Sequence, residues 1–231
     1  MKLDDIMREL ERMGTAQNVK IYKRHGAKHE LFGVSFANLS KLKKQIKTDS
    51  ELGKKLLATN NADAQTLGTM IIDPNDVTED ELNTWVKRMD YYPVVDSFVK
   101  NLVSKTEYSK KMIDKWTKSK DEWVGRAGWQ LLAIYIMNDK NLPDQYYEKY
   151  LEKIEKNIHN SKNRTRESMN NALISIGIRN KNLMNRALHS AKTIGVVEVD
   201  HGETGCVTPD AAEYINKTWV RKEKKNNRKI K

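Results

Sequence analysis

Apolar residues recur along this chain at intervals of three and four, the mark of helices that bury one stripe. Leu3, Ile6, Met7, Leu10 and Met13 form the first stripe, which stops at Gly14. Leu39, Leu42 and Ile46 form another after the turn at Gly33. Thr78 and Glu81 read as a capping box ahead of Leu82, Trp85, Val86 and Met89. In such a box the hydroxyl and the carboxylate each satisfy a backbone N–H that the helix start leaves orphaned. Ser119 and Glu122 repeat the pattern ahead of Trp123, Ala127, Leu131 and Ile134. Tyr147, Tyr150, Leu151, Ile154 and Ile158 follow, and then Met169, Leu173 and Ile176. β-branched alternation is scarce: Val196-Val197-Glu198-Val199 fits a short strand, and an extended loop equally.

The helices so predicted are about 10–18 residues long with short polar links, as in bundles and solenoids. No Pro/Ser-rich linker divides them, so one continuous all-α domain is expected over residues 1–220. Helix pairs spaced by roughly 35–45 residues suit a stack of degenerate repeats, with a plain bundle as the competing architecture. Residues 221–231, RKEKKNNRKIK, are mostly basic and lack an apolar face, which predicts a mobile tail.

Charge narrows the function. The chain carries 42 Lys plus Arg against 31 Asp plus Glu, a formal charge of +11. Such an excess favours a polyanionic partner, nucleic acid ahead of anionic membrane. Short basic clusters, Lys41-Lys43-Lys44-Lys47, Lys110-Lys111-Lys115 and Lys162-Arg164-Arg166, are candidates for following a phosphate backbone. Of these, Lys43, Lys44, Lys47, Lys162, Arg164 and Arg166 are the leading phosphate-binding candidates. The alternative for any one cluster is a solvated helix face.

Other classes are excluded. Cys206 is the only cysteine, so no internal disulfide is expected and a reducing, cytoplasmic compartment is. The N-terminal MKLDDIMRELERM has no apolar signal core, and no run of about 18 apolar residues predicts a membrane span. Phosphate loops, dinucleotide fingerprints and serine elbows are absent, and no cofactor is expected. Asp200, His201, Glu203 and Cys206 match no zinc spacing. A turn at Gly202 and Gly205 is favoured there instead of a metal site, with Thr208 capping and Pro209 opening a final helix.

One stretch, YYPVVDSFVK at 91–100, poses a sharper question. Val95, Phe98, Val99 and Leu102 make a single apolar stripe, and Pro93 suits a first helical turn. Asp96 then falls near the helix start, where the dipole favours negative charge and Lys100 is a partner four residues on. On spacing alone it is a local stabiliser.

Four segments, FGVSFANLSKLKKQIK, YYPVVDSFVKNLV, KWTKSKDEWVGRAGWQLL and RESMNNALISIGIRN, occur in an order and spacing that resembles the AlkD-like DNA alkylation repair proteins. The likeness covers roughly residues 20 to 190, and GVVEVDHGETGCVTPDAAEYI looks like the ending of a bacterial branch of the same superfamily. The resemblance implies an all-α fold, a HEAT-like helical-repeat superhelix or α-α solenoid, whose concave face holds double-stranded DNA, as a monomer. Characterised members are glycosylases that release N3- or N7-alkylated purines without fully flipping the base into a pocket.

By the same resemblance, Tyr91 and Tyr92 stand where the family has tryptophans, and Asp96 stands at the catalytic aspartate. Arg126 matches an arginine that faces the groove; the residues alone equally allow a structural ion pair. Asn171 stands where the family has a further tryptophan, and an amide supplies hydrogen bonds but no π-face. An alkylated purine already bears positive charge, so a carboxylate stabilising the cationic sugar and positioning water suffices for base release. The expected function is therefore an alkylpurine DNA glycosylase; the alternative is a non-catalytic HEAT-repeat protein that binds DNA structure or damage. Trp129 is expected in the core.

Overall fold

The computed structural model describes residues 2–139 and 141–229. These form thirteen α-helices, three short 3-10 turns and, among the described residues, no strand beyond a single bridge between Glu30 and Asn61. They separate into two compact units. One runs to Met112 and includes His201–Gly205; the other runs from Ile113 to Asp200 and resumes at Cys206.

In the first unit, α1 (Leu3–Met13), α2 (Ala16–Arg24), α3 (Phe36–Ile46), α4 (Ser50–Leu57), α5 (Ala62–Ile71), α6 (Glu79–Val86) and α7 (Tyr92–Asn101) follow in order. Most start on a side-chain cap: Thr15, Ser35, Asp49 and Asn61 accept backbone N–H groups of α2, α3, α4 and α5. The capping box of Thr78 and Glu81 forms as predicted on α6. The predicted stripe of α1 turns Ile6 and Leu10 inward to meet Leu39, Leu42, Leu52, Leu56 and Leu67. Each such side chain contributes about 1.5–3 kcal/mol by leaving water.

The segment before α3 has no helix of its own and is fastened by a carboxylate. Asp63 Oδ2 accepts from Phe32 N and Gly33 N at 2.7 and 2.9 Å, and Oδ1 from Val34 N at 3.1 Å. Burial raises the Asp63 carboxyl above its ordinary value, and the three N–H bonds oppose that rise. Gly33 adopts φ +78° and approaches the backbone at Thr15 and Val19, so a side chain fits there neither in conformation nor in space.

α8 (Ser109–Trp116) carries the division between the units. In the second unit, α9 (Glu122–Asn138), α10 (Asp144–Asn157), α11 (Asn163–Gly177) and α12 (Lys181–Ile194) are followed by α13 (Ala211–Lys229). α9 and α11 lie side by side, α12 packs on α10 and α11, and α13 closes on α11 and α12. Trp129 is in the core as expected, edge-on to Tyr150 with centroids 5.9 Å apart.

Three expectations shift. The cap of α9 is Asp121, whose Oδ1 accepts from Trp123 N and Val124 N, while Ser119 Oγ takes Asp121 N and stands outside the helix. α13 opens after Asp210, which accepts Glu213 N at 2.7 Å, so Thr208 is not its cap and Pro209 precedes it. Of the two alternatives for residues 196–199, the structure takes the loop. Arg166 donates to Glu198 O there, and Asn163 exchanges two hydrogen bonds with the Asp200 backbone.

The basic segment after 220 continues α13 through Lys229; Ile230 and Lys231 lie outside the described residues. Its start is anchored within the unit. Lys222 donates to Ile178 O, Lys181 pairs with Glu223 at 2.7 Å, and Trp219 Nε1 donates to Gly177 O at 2.9 Å.

Candidate nucleic-acid interface

At the head of α7, Tyr91 is the extended N-cap, Tyr92 the first helical residue and Pro93 the second. Asp96 is thus the fifth helical residue and lies in the second turn, beyond the first-turn position that the proline suggested. Dipole stabilisation falls off within one turn, so that explanation of Asp96 weakens. Val94, Val95, Phe98 and Val99 are buried, whereas Tyr92 and Asp96 are half-buried. Four residues apart, these two share one helix face.

The two tyrosines differ in state. Tyr91 is buried, edge-on to Tyr92 with centroids 5.6 Å apart. The Tyr92 hydroxyl shares a hydrogen bond with His25 Nδ1 at 3.0 Å, which ties α7 to the end of α2. Close by in sequence, His29 Nε2 lies 2.8 Å from Asp90 Oδ2. The histidines are contributed by the α2–α3 connection, and no local signal in the tyrosine motif announces them.

Arg126 is 2% exposed on α9. Its Nη1 donates to Glu167 Oε2 at 2.8 Å and to Arg164 O at 3.3 Å. Arg164 Nη1 reaches the same Glu167 oxygen at 3.0 Å. Burial pushes the Glu167 carboxyl up, but the Arg126 charge and the bonds from both arginines outweigh it, holding the group below its ordinary value. Arg126 and Arg164 therefore spend charge inside the α9–α11 contact. Glu167, their partner, was not among the expected site residues; it sits one turn after Arg164 on α11.

Arg166 is also committed, donating to Glu198 O, His159 O and Ser161 O at 2.9–3.1 Å. Lys162, at the start of α11, is exposed. Lys43, Lys44 and Lys47 are exposed at the end of α3, where Lys47 is the helix's C-terminal flank with φ +66°. A further exposed basic row went unexpected. Lys20, Lys23 and Arg24 on α2, with Ala16, Val19 and Glu203, line a depression of about 540 Å³. Their i, i+3, i+4 spacing in KIYKR was visible in the sequence.

Asn171 is half-buried on α11 and lines a groove of about 520 Å³ formed with α9 and the start of α13. The segment around Gly202 is a tight turn, with φ +66° at Gly202 and Thr204 N donating to Gly202 O at 2.8 Å. Among the described residues, no group of three or more His, Cys, Asp or Glu side chains is placed to hold a metal. No described helix is long and apolar enough to cross a membrane.

Capped helices packed on one another, in a chain of formal charge +11, define a class: all-α helical-repeat proteins. The DNA alkylation repair enzyme family matches residues 6–215, and the chain belongs to that family. Two relatives are the uncharacterised proteins Lin0241 of Listeria innocua serovar 6a and Lmo0209 of Listeria monocytogenes serovar 1/2a. Each is 30% identical over 219 residues, covering 93% of this chain and 96% of the relative. A solved structure is similar with TM-score 0.87 and 31% identity, over 96% of this chain and 95% of that one. It is described as a new family of proteins related to the HEAT-like repeat DNA glycosylases with affinity for branched DNA structures. The fold is accordingly all-α and HEAT-like, as the resemblance implied.

Proposed function

We propose that this protein binds branched double-stranded DNA and holds it without excising a base. The observation that carries the reading is the state of the residues that excision would use. Tyr91 is buried, the Tyr92 hydroxyl is bonded to His25, Arg126 is locked to Glu167, and Asn171 offers no aromatic face. A site for departing cationic bases needs open π-faces and charge aimed at the sugar. The similar structure's affinity for branched DNA and the formal charge of +11 support the binding half of the proposal.

A second reading stays in view because of Asp96. It is a half-buried carboxylate one face with Tyr92, in a family named for repair enzymes. Under that reading it stabilises the developing oxocarbenium of an N3- or N7-alkylated nucleotide and orients the attacking water. The two are separated by one pair of measurements on the purified protein: affinity for a fork, a four-way junction and a linear duplex of equal length, and base release from methylated DNA. Tighter binding of the branched forms with no released base supports the proposal. Release of 7-methylguanine or 3-methyladenine that disappears in Asp96→Asn overturns it in favour of the glycosylase.

A further inference from the structure

The groove beside Asn171 has a composition unlike the rest of the charged surface. None of its lining residues carries a charge, in a chain where charged residues are 32% of the total. Ile134 and Met137 of α9, Ile174 of α11 and Tyr214 of α13 supply apolar and aromatic walls. Met137 and Tyr214 are 57% and 48% exposed, large for residues of their kind. Gln130 and Asn171 add side-chain amides. The Gln130 Oε1 is buried and has no hydrogen-bond partner among the described residues. That oxygen lies beneath the wall, so the groove's accessible polar group is the Asn171 amide.

We infer that this groove receives a single unpaired nucleobase from the branch point of a bound DNA. The inference rests on the reading of the protein as a binder of branched DNA. A base offers a flat apolar face that can stack on the exposed Tyr214 ring regardless of its identity, with Met137 and the isoleucines as further apolar wall. The Asn171 amide, half-buried on the groove wall, can donate to or accept from the base edge. A phosphate fits poorly, since no cation lines the groove. The volume, about 520 Å³, admits a base with its sugar and leaves room at the mouth.

This occupant also explains a preference for branches. A linear duplex must break stacking and pairing to present a base, whereas a fork or junction offers one already unstacked. The elements that carry the groove are tied together: Asn170 donates to Pro209 O of the wall at 2.9 Å, and Trp219 Nε1 of α13 donates to Gly177 O of α11.

The test uses the full chain and a fork with one unpaired adenine at the branch, beside the same fork with an abasic tetrahydrofuran there. We expect the base-bearing fork to bind roughly five- to a hundredfold more tightly, the range for one stacked base. In Tyr214→Ala and in Ile134→Glu, checked for folding by thermal melting, that ratio should fall to about one. A 2-aminopurine at the branch should change its emission on binding the native protein and not on binding the variants. Equal affinity of native protein for the two forks, with the preference for branches intact, overturns this inference and spares the proposed function. Persistence of the ratio in both variants overturns it as well, by placing the base elsewhere. Absence of any preference for branched DNA overturns both.

Discussion

Arg126 Nη1 lies 2.8 Å from Glu167 Oε2, joining α9 to α11 through a pair whose side chains are 3% and 19% exposed. A buried cation left without its counter-charge costs far more than the intact pair contributes. Glu167→Ala should therefore lower stability by roughly 2–4 kcal/mol, measured by chemical denaturation, since both Arg126 and Arg164 lose their acceptor. The pair also sets a pH dependence. Glu167 sits below its ordinary value when folded, so its contribution is complete above the unfolded value of about 4.3 and is lost as pH falls through the folded one. In Glu167→Gln the acid limb of the stability curve should flatten. A variant as stable as the parent at neutral pH would remove Arg126 from the structural role described above.

Asp63 makes a second, separate prediction. Its two oxygens accept three backbone N–H groups ahead of α3, and a truncation leaves those donors in a largely dry environment. Each unmet buried donor costs about 1–3 kcal/mol, although some regain water. Asp63→Ala should destabilise the protein by roughly 2–4 kcal/mol and speed amide exchange at Phe32, Gly33 and Val34. Unchanged exchange at those three positions would sink the idea that the carboxylate holds the loop.

Gly128 marks a close approach within the second unit. A Cβ there would stand 2.6 Å from Thr117 N and from the Trp116 carbonyl carbon, both of them backbone. Backbone yields less readily than a side-chain end, so Gly128→Ala should cost more than the helix-propensity gain of about 1 kcal/mol returns. A net loss in melting temperature is expected; a gain would show that α9 slides without penalty.

The helix pattern was readable where a stripe was strong and a cap stood before it. α1, α3 and α6 lie where Leu3–Met13, Leu39–Ile46 and the Thr78–Glu81 box indicated. α5 is nearly buried all round, with sequence ADAQTLGTMI, so periodicity had little contrast to reveal. Pro93 lies in the first turn of α7 as expected, but the helix begins at Tyr92, which makes Asp96 its fifth residue and puts it beyond the first turn. The site was less legible still. The Tyr92 hydroxyl finds its partner in His25, 67 residues away, and Arg126 finds its own in Glu167, 41 residues away. Long-range partners of that kind leave no mark in local spacing. The amide- and methionine-lined groove is likewise assembled from three helices, none of which looks unusual alone.

The basic residues divide into two kinds, and salt dependence separates them. Lys43, Lys44 and Lys47 stand exposed at the end of α3, and Lys20, Lys23 and Arg24 stand exposed on α2. Arg164 and Arg166, from the cluster that looked equally suited to phosphate, spend their guanidinium groups on Glu167 and on three backbone carbonyls. Each lysine that meets a phosphate releases a counterion, so its removal lowers the slope of log affinity against log salt by about 0.9. Lys43→Ala with Lys44→Ala should weaken binding to all DNA forms alike and reduce that slope by up to about 2, with no change in melting temperature. Arg166→Ala should do the reverse, lowering melting temperature through the loosened 196–200 segment while the slope holds. If Arg166→Ala flattens the slope and the lysine pair does not, the phosphate track runs along α11, and the assignment of the two sets must be exchanged.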